Sequence, residues 1–326
     1  MQLTAIQRIL GILLMLFSLT LIPPIGVALW YGEEALTSFA VVLASTFGAG
    51  LIIWLPVSKR RKEMRLRDGF VVVVMFWSVL SFTGALPFWL SPTPEVTFTD
   101  AVFESFSGLT TTGATVITGI DALPRSILYY RQQLQWLGGM GIIVLAVAVL
   151  PMLGIGGMQL YRAETPGPMK DSKLTPRITE TAKALWYLYL GLTVVCILAY
   201  WAGGMKLFDA VGHAYSTVAI GGFSTHDASI GYYNSTLIEM IAVVFMFVAG
   251  INFALHFVAW RRRSLAGYLR DSEFLFYAFL MAMTATLVVT VLYATGVYST
   301  LGEALTRGLF QAVSIASTAG FTTAEF

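Results

Sequence analysis

Three glycines of this chain, Gly113, Gly222 and Gly320, stand in one recurring local pattern. Six residues before each is a serine, Ser107, Ser216 and Ser314, and nine before each is a polar residue among apolar neighbours, Glu104, His213 and Gln311. Just after each come a hydrophobe and a hydroxyl: Ala114-Thr115, Phe223-Ser224 and Phe321-Thr322. A dehydrated cation needs several oxygen ligands in place of its water shell, and inward-pointing backbone carbonyls supply them without a fixed charge that would trap the ion. A carbonyl ladder requires left-handed or otherwise unusual backbone, which costs a side-chain-bearing residue roughly 1 to 2 kcal/mol and glycine almost nothing. A short helix before each glycine would turn its partially negative C-terminal end toward the ion. Glu104, His213 and Gln311 are expected behind the glycines, hydrogen-bonded to neighbouring loops, with Glu104→Gln milder than Glu104→Leu because the amide keeps hydrogen-bonding capacity.

The elements that must position these residues are set by a bilayer. Of 326 residues, 57% are apolar and only 12% charged, about half the charged share of a soluble domain. Apolar runs at Ile9–Trp30, Leu36–Val57, Gly69–Leu90, Ile127–Leu153, Ala184–Ala202, Ser235–Trp260 and Phe274–Thr295 are each long enough to cross about 30 Å of hydrocarbon as a helix. The first run resumes past Pro23 and Pro24 and lacks a small-x-small cleavage site, so it reads as a retained span rather than a signal peptide. With the N-terminus cytoplasmic, sixteen of the twenty basic residues fall on the inner side, leaving Arg125, Arg131, Lys206 and Arg307 outside with eleven of the acids. An outer face with surplus carboxylates raises the local cation concentration.

The three glycine segments, Phe98–Thr115, Phe208–Thr225 and Leu301–Thr323, lie between spans whose ends face the same side, so each must enter and leave the membrane on one side. Such re-entrant loops are tolerated only where protein or a wet cavity surrounds them. The glycines are spaced by 109 and then 98 residues, each interval holding an outgoing helix, an inner loop and a returning helix. The expected fold class is therefore an all-α polytopic membrane protein built from helix, pore loop, helix repeats. The domains are expected as residues 1–68, two N-terminal transmembrane helices; 69–165, a first pore repeat; 166–270, a second; and 271–326, a third that is incomplete, with a fourth repeat absent.

The segments Thr110-Thr111-Thr112-Gly113-Ala114-Thr115, Ala219-Ile220-Gly221-Gly222-Phe223-Ser224-Thr225 and Ser317-Thr318-Ala319-Gly320-Phe321-Thr322-Thr323 resemble the first three filter loops of the Trk/Ktr/HKT superfamily of potassium transporters. Gly138 to Val144, Ala163 to Pro168 and the two helices before the first repeat are similar to its Trk-type membrane subunits, so the resemblance covers essentially the whole chain. It implies a pseudo-fourfold channel-like pore in one polypeptide that takes up potassium, with no resident organic cofactor. It implies ligands at Thr111, Thr112, Gly113, Ile220, Gly221, Gly222, Thr318, Ala319 and Gly320, through carbonyls and nearby hydroxyls. It further implies a homodimer in the cell inner membrane with a cytoplasmic nucleotide-binding regulatory ring docked on the inner face. The chain stops at Phe326, just after the third loop, so a truncated record is expected, with a fourth filter glycine roughly 100 to 120 residues beyond Gly320 by the repeat spacing.

Other residues carry weaker signals. Cys196 is the single cysteine and excludes an internal disulfide framework. Asn252 and His256 lie four apart on one helical face, suited to interhelical hydrogen bonding, with a proton relay as the alternative. Gly154-Ile155-Gly156-Gly157 follows no strand and is no nucleotide fingerprint, and Asn234-Ser235-Thr236 is a glycosylation acceptor only in a secretory-pathway host. An intramembrane enzyme is the main competing class: there are three histidines and no HExxH, and Ser107 and Ser224 lack the flanking glycines of a nucleophile elbow. A non-conducting assembly subunit is the other alternative.

Overall fold

The computed structural model describes residues 2–59, 66–139, 141 and 178–324. The second half of the fourth expected span, the Gly154 to Gly157 run and the Ala163 to Pro168 motif lie outside them. The described residues are helical, with α1 (Leu3–Leu19), α2 (Ile22–Tyr31), α3 (Ala35–Trp54), α4 (Leu66–Leu90), α5 (Phe98–Leu109), α6 (Arg125–Gly139), α7 (Ile178–Ala202), α8 (Leu207–Val218), α9 (Thr236–Ala249), α10 (Phe253–Arg262), α11 (Ser272–Ala294) and α12 (Leu301–Ala316). Five stretches among them are long and apolar enough to cross a membrane, and the pair α9 and α10 passes the same test together. This is an all-helical, multi-pass membrane protein. The chain divides into two compact units, Met1–Thr110 with Thr115–Trp186, and Thr111–Ala114 with Tyr187–Phe326.

In the first unit, the opening apolar run forms two helices rather than one, because Pro23 and Pro24 have no N–H to give and so occupy the first turn of α2. α1 packs on α3 through a glycine pair. A Cβ on Gly11 would sit 2.7 Å from the carbonyl oxygen of Gly50, and one on Gly50 would sit 2.8 Å from that of Gly11. The start of α6 follows Pro124 and is capped from a distance: the Glu33 carboxylate accepts from the backbone N–H of Arg125 at 2.6 Å and of Ser126 at 2.9 Å. A carboxylate suits this place, since the first amides of a helix have no partner within it and carry partial positive charge. Farther along α6, Tyr130 Oη donates to the Gly84 carbonyl and Gln133 Nε2 to that of Thr20, which fixes the helix among α1 and α4.

In the second unit the sixth expected span, Ser235–Trp260, is not one helix. α9 and α10 meet at a 91° bend across residues 250–252. A break at membrane depth frees carbonyls that must find new donors, and two side chains join the Ile251 N–H, which donates to Val248 O at 3.1 Å. Tyr277 Oη donates to Phe247 O at 3.1 Å, and His256 Nε2 lies 3.0 Å from Val248 O. Because that carbonyl can only accept, His256 carries its proton on Nε2 and takes one from the Tyr268 hydroxyl on Nδ1 at 2.7 Å. Burial raises the Tyr268 phenol above its usual value and keeps it a donor. Asn252 caps α10 by accepting from Ala254 N–H. The Asn252 and His256 pair is thus hydrogen-bonding structure at a helix break. Gly250 lies at the same bend, where a Cβ would crowd the Tyr277 hydroxyl.

Because the α1 and α3 backbones touch at Gly11 and Gly50, Gly50→Leu should destabilise the full-length protein by about 1–3 kcal/mol or more. Gly48, two residues away with open space around it, should accept leucine. Thermal denaturation followed by size-exclusion chromatography compares the two; equal melting temperatures would refute the contact.

Candidate ion filter

Each short helix of a repeat begins with an acid at its third residue: Asp100 in α5, Asp209 in α8 and Glu303 in α12. Thr97 and Asp100 form a reciprocal capping box on α5, and Thr300 Oγ1 accepts from Glu303 N–H on α12. α5 and α8 have 12 residues each and α12 has 16, and they end at Leu109, Val218 and Ala316, just before the glycine segments. At 1.5 Å per residue the shorter two are about 18 Å long, too short to cross the membrane.

All three glycine segments, 111–114, 220–222 and 318–320, lie in the second unit. Their backbones repeat one pattern: φ is +54° at Thr111 and Ile220 and +67° at Thr318, then +77°, +79° and +80° at Gly113, Gly222 and Gly320, while the residue between is not left-handed. Alternating the sign of φ turns successive carbonyls toward the same side, where a flat strand would alternate them. Sequence resemblance named Thr111, Ile220 and Thr318 as ligands but did not mark them as left-handed positions. Threonine and isoleucine at positive φ are strained, and nothing in their types announces it.

The segments also touch one another. A Cβ on Gly113 would overlap the carbonyl oxygen of Gly221, and one on Gly222 would overlap that of Ala319. Glycine is required at both places twice over, by conformation and by close approach of a neighbouring carbonyl. The amides of the segments point back to their own helix: Gly221 N–H donates to Ser216 O and Ala319 N–H to Ser314 O, each at 2.8 Å. These are two of the three serines of the sequence repeat, and all three are buried. Ser314 Oγ additionally donates to Phe321 O at 2.7 Å.

The polar residues nine before the glycines brace the chain just past them. Thr115 Oγ1 donates to the Glu104 carboxylate at 3.0 Å, and Val116 N–H donates to it at 3.3 Å. His213 Nδ1 is 2.8 Å from the Asp209 carbonyl, which can only accept, so Nδ1 holds the proton and Nε2 accepts from Ser224 Oγ at 2.9 Å. Ser224 Oγ in turn accepts from His226 N–H, and Thr225 Oγ1 donates to Asp209 at 2.9 Å. Gln311 Nε2 donates to Thr323 Oγ1 at 3.4 Å. The brace is therefore chiefly each repeat's own loop, where the sequence suggested neighbouring loops.

Two arginines assigned by sequence to the outer surface are structural. Arg131, on α6, is fully buried and pairs with Glu104, Nη2 to Oε1 at 2.7 Å. Arg307, on α12, joins Glu239 at 2.7 Å, Asn234 Oδ1 at 3.2 Å and the Thr323 carbonyl at 3.3 Å, tying the second repeat to the third. The Asn234 side chain of the glycosylation-like triplet serves this contact. The same two repeats are joined again where Gly231 N–H donates to Thr322 O and Ser229 Oγ accepts from Thr322 N–H. In the first unit, a Cβ on Gly138 would overlap the Leu109 carbonyl, so the Gly138-Gly139 end of α6 lies against the end of α5.

The chain is similar in sequence and fold to known proteins. The profile of the family described as TrkH, cation transport protein, matches residues 37–326. The Trk system potassium uptake protein TrkH of Halomonas elongata is 59% identical over 326 residues, covering all of this chain and 67% of the relative. The protein of that name from Escherichia coli K12 is 53% identical over 99% of this chain and 67% of its own length. The crystal structure of the potassium transporter TrkH from Vibrio parahaemolyticus matches with a TM-score of 0.88 at 48% identity, over 99% of this chain and 66% of that one. The chain thus spans about two thirds of the length of these relatives.

If His213 acts by hydrogen bonding, His213→Gln should retain most of the ion selectivity of the full-length protein, whereas His213→Leu should lose it by about tenfold, the effect of one lost buried hydrogen bond or more. Uptake assays for potassium and sodium on both variants make the comparison; equal selectivity in the leucine variant would remove the brace from the filter's design.

Proposed function

This chain belongs to the TrkH family of cation transport proteins, and we propose that it takes up potassium across the cell membrane through a filter formed by its re-entrant loops. The ligands are the backbone carbonyls and nearby hydroxyls of Thr111, Thr112, Gly113, Ile220, Gly221, Gly222, Thr318, Ala319 and Gly320. The observation that carries this reading is the alternation of φ at the same register in all three segments, with adjoining segments in backbone contact at Gly113 and Gly222. Such a ladder takes over an ion's hydration shell with dipoles rather than charges, so the ion binds well enough to enter and weakly enough to leave.

The pore repeats are residues 69–165, 166–270 and 271–326, preceded by two transmembrane helices in residues 1–68. The protein sits in the cell inner membrane with its N-terminus cytoplasmic, an orientation supported by the gathering of basic residues in the loops between returning and outgoing spans. It works as a homodimer with a cytoplasmic nucleotide-binding ring of the Trk type, and the Trk system names of the relatives support such a partnership. It catalyses no chemical reaction; the relatives it matches are transporters.

Gly113→Ser should shift selectivity from potassium toward sodium. The side chain both forces a left-handed position and pushes the Gly221 carbonyl out of place, so the potassium-over-sodium ratio of the full-length protein should fall about fivefold or more. Flux of the two ions into proteoliposomes reads this directly, and an unchanged ratio would overturn the filter assignment.

A further inference from the structure

At the register nine residues before the filter glycine stand Gln311, His213 with its proton on Nδ1 alone, and one acid, Glu104. The acid is fully buried, and so is the arginine beside it. Arg131 contacts a single carboxylate oxygen with two nitrogens, Nε at 2.8 Å and Nη2 at 2.7 Å, and Nη2 also reaches Thr115 Oγ1 at 3.1 Å. Glu104 holds Thr115 and Val116, the second and third residues beyond Gly113. Thr115 follows Ala114 directly in the chain, and an unpaired buried carboxylate holding it would act on a nearby cation more strongly than the same charge in water.

We propose that Arg131 is the counter-ion that makes this position neutral, so that all three register positions present no net charge to the ion and selection is left to the carbonyls. Gln311 is neutral by residue type, His213 by a hydrogen-bond arrangement in which Nδ1 alone holds a proton, and the first position by pairing. Arg131 is accordingly a positioning and specificity residue that acts through Glu104 and Thr115. This rests on the reading of residues 111–113 as ion ligands, which Gly113→Ser tests on its own. The pairing also changes the outlook for Glu104→Gln. The amide keeps hydrogen bonds to the loop but leaves Arg131 buried without its counter-ion, so this variant should be about as damaging as Glu104→Leu.

The test is a charge-swap series in the full-length protein in proteoliposomes, reading apparent KM and maximal rate for potassium together with the potassium-over-sodium ratio. Arg131→Gln exposes the ion to an uncompensated carboxylate. The apparent KM should fall about threefold or more while the maximal rate falls about tenfold, as expected for an ion held too tightly to leave. The double variant Glu104→Gln with Arg131→Gln removes both charges and should return KM and the selectivity ratio to within about twofold of the parent. Equal loss in single and double variants at unchanged KM would overturn the proposal, since Arg131 would then serve a structural role independent of the Glu104 charge. If Arg131→Gln fails to reach the membrane, the double variant decides alone: it must insert and transport selectively, and its failure to do so overturns the proposal.

Discussion

Backbone polar groups at membrane depth have no water to turn to, and this one constraint organises the site. A filter must leave its carbonyls available to an ion while every amide on the same strand is satisfied elsewhere. The two strands whose bonds are defined solve this alike: Gly221 and Ala319 give their N–H groups to the last carbonyls of their own pore helices, at Ser216 and Ser314. The amides are tied back and the carbonyls are freed by the same turn of the chain. The alternation of φ follows from this demand, because a strand with carbonyls on both sides would waste half of them.

The strain of that backbone has to be held, and each repeat holds it with different chemistry at one position. Glu104 uses an ion pair and two loop contacts, His213 a neutral imidazole fixed by its own helix carbonyl, and Gln311 an amide to a threonine hydroxyl. What recurs is the geometry, a side chain one pore helix back reaching a hydroxyl-bearing loop just past the glycine. That explains why the hydroxyl recurs in the sequence at Thr115 and Ser224; the third repeat uses Thr323, one residue later. The same constraint governs the bend between α9 and α10, where Tyr277 and His256 cover the carbonyls that the break exposes.

Much of this was legible in the sequence because a bilayer makes composition speak about topology. The apolar runs, the three glycines and the polar residues nine before them were all readable, since apolar neighbours make a polar residue conspicuous. Three things were not. The sixth apolar run is broken at 250–252, yet its composition stays as apolar as that of a straight span, because tertiary donors rather than a proline relieve the break. The left-handed turns at Thr111, Ile220 and Thr318 fall on residue types that ordinarily avoid them, so only the bonds on either side impose them. Arg131 and Arg307 were assigned to the outer face, because a sequence reports on which side of a span a charge falls and not whether it faces inward to a partner 27 or 68 residues away.

Those two arginines also change where the attraction for cations resides. On the proposed orientation, pairing Arg131 with Glu104 and Arg307 with Glu239 removes two acids and two bases from the outer face, leaving Arg125 and Lys206 as the only basic company of the remaining outward acids. Of the remaining acids, Glu34, Glu95, Asp121 and Asp227 are exposed, whereas Asp209 is buried and holds Thr225. A diffuse negative field at the mouth raises the local concentration of every cation and discriminates little between them. Discrimination needs ligands of fixed geometry and modest strength, which the neutral carbonyl ladder provides. On the proposed filter and orientation, the exposed acids would gather ions while the loop carbonyls choose among them, so the two tasks fall in separate places.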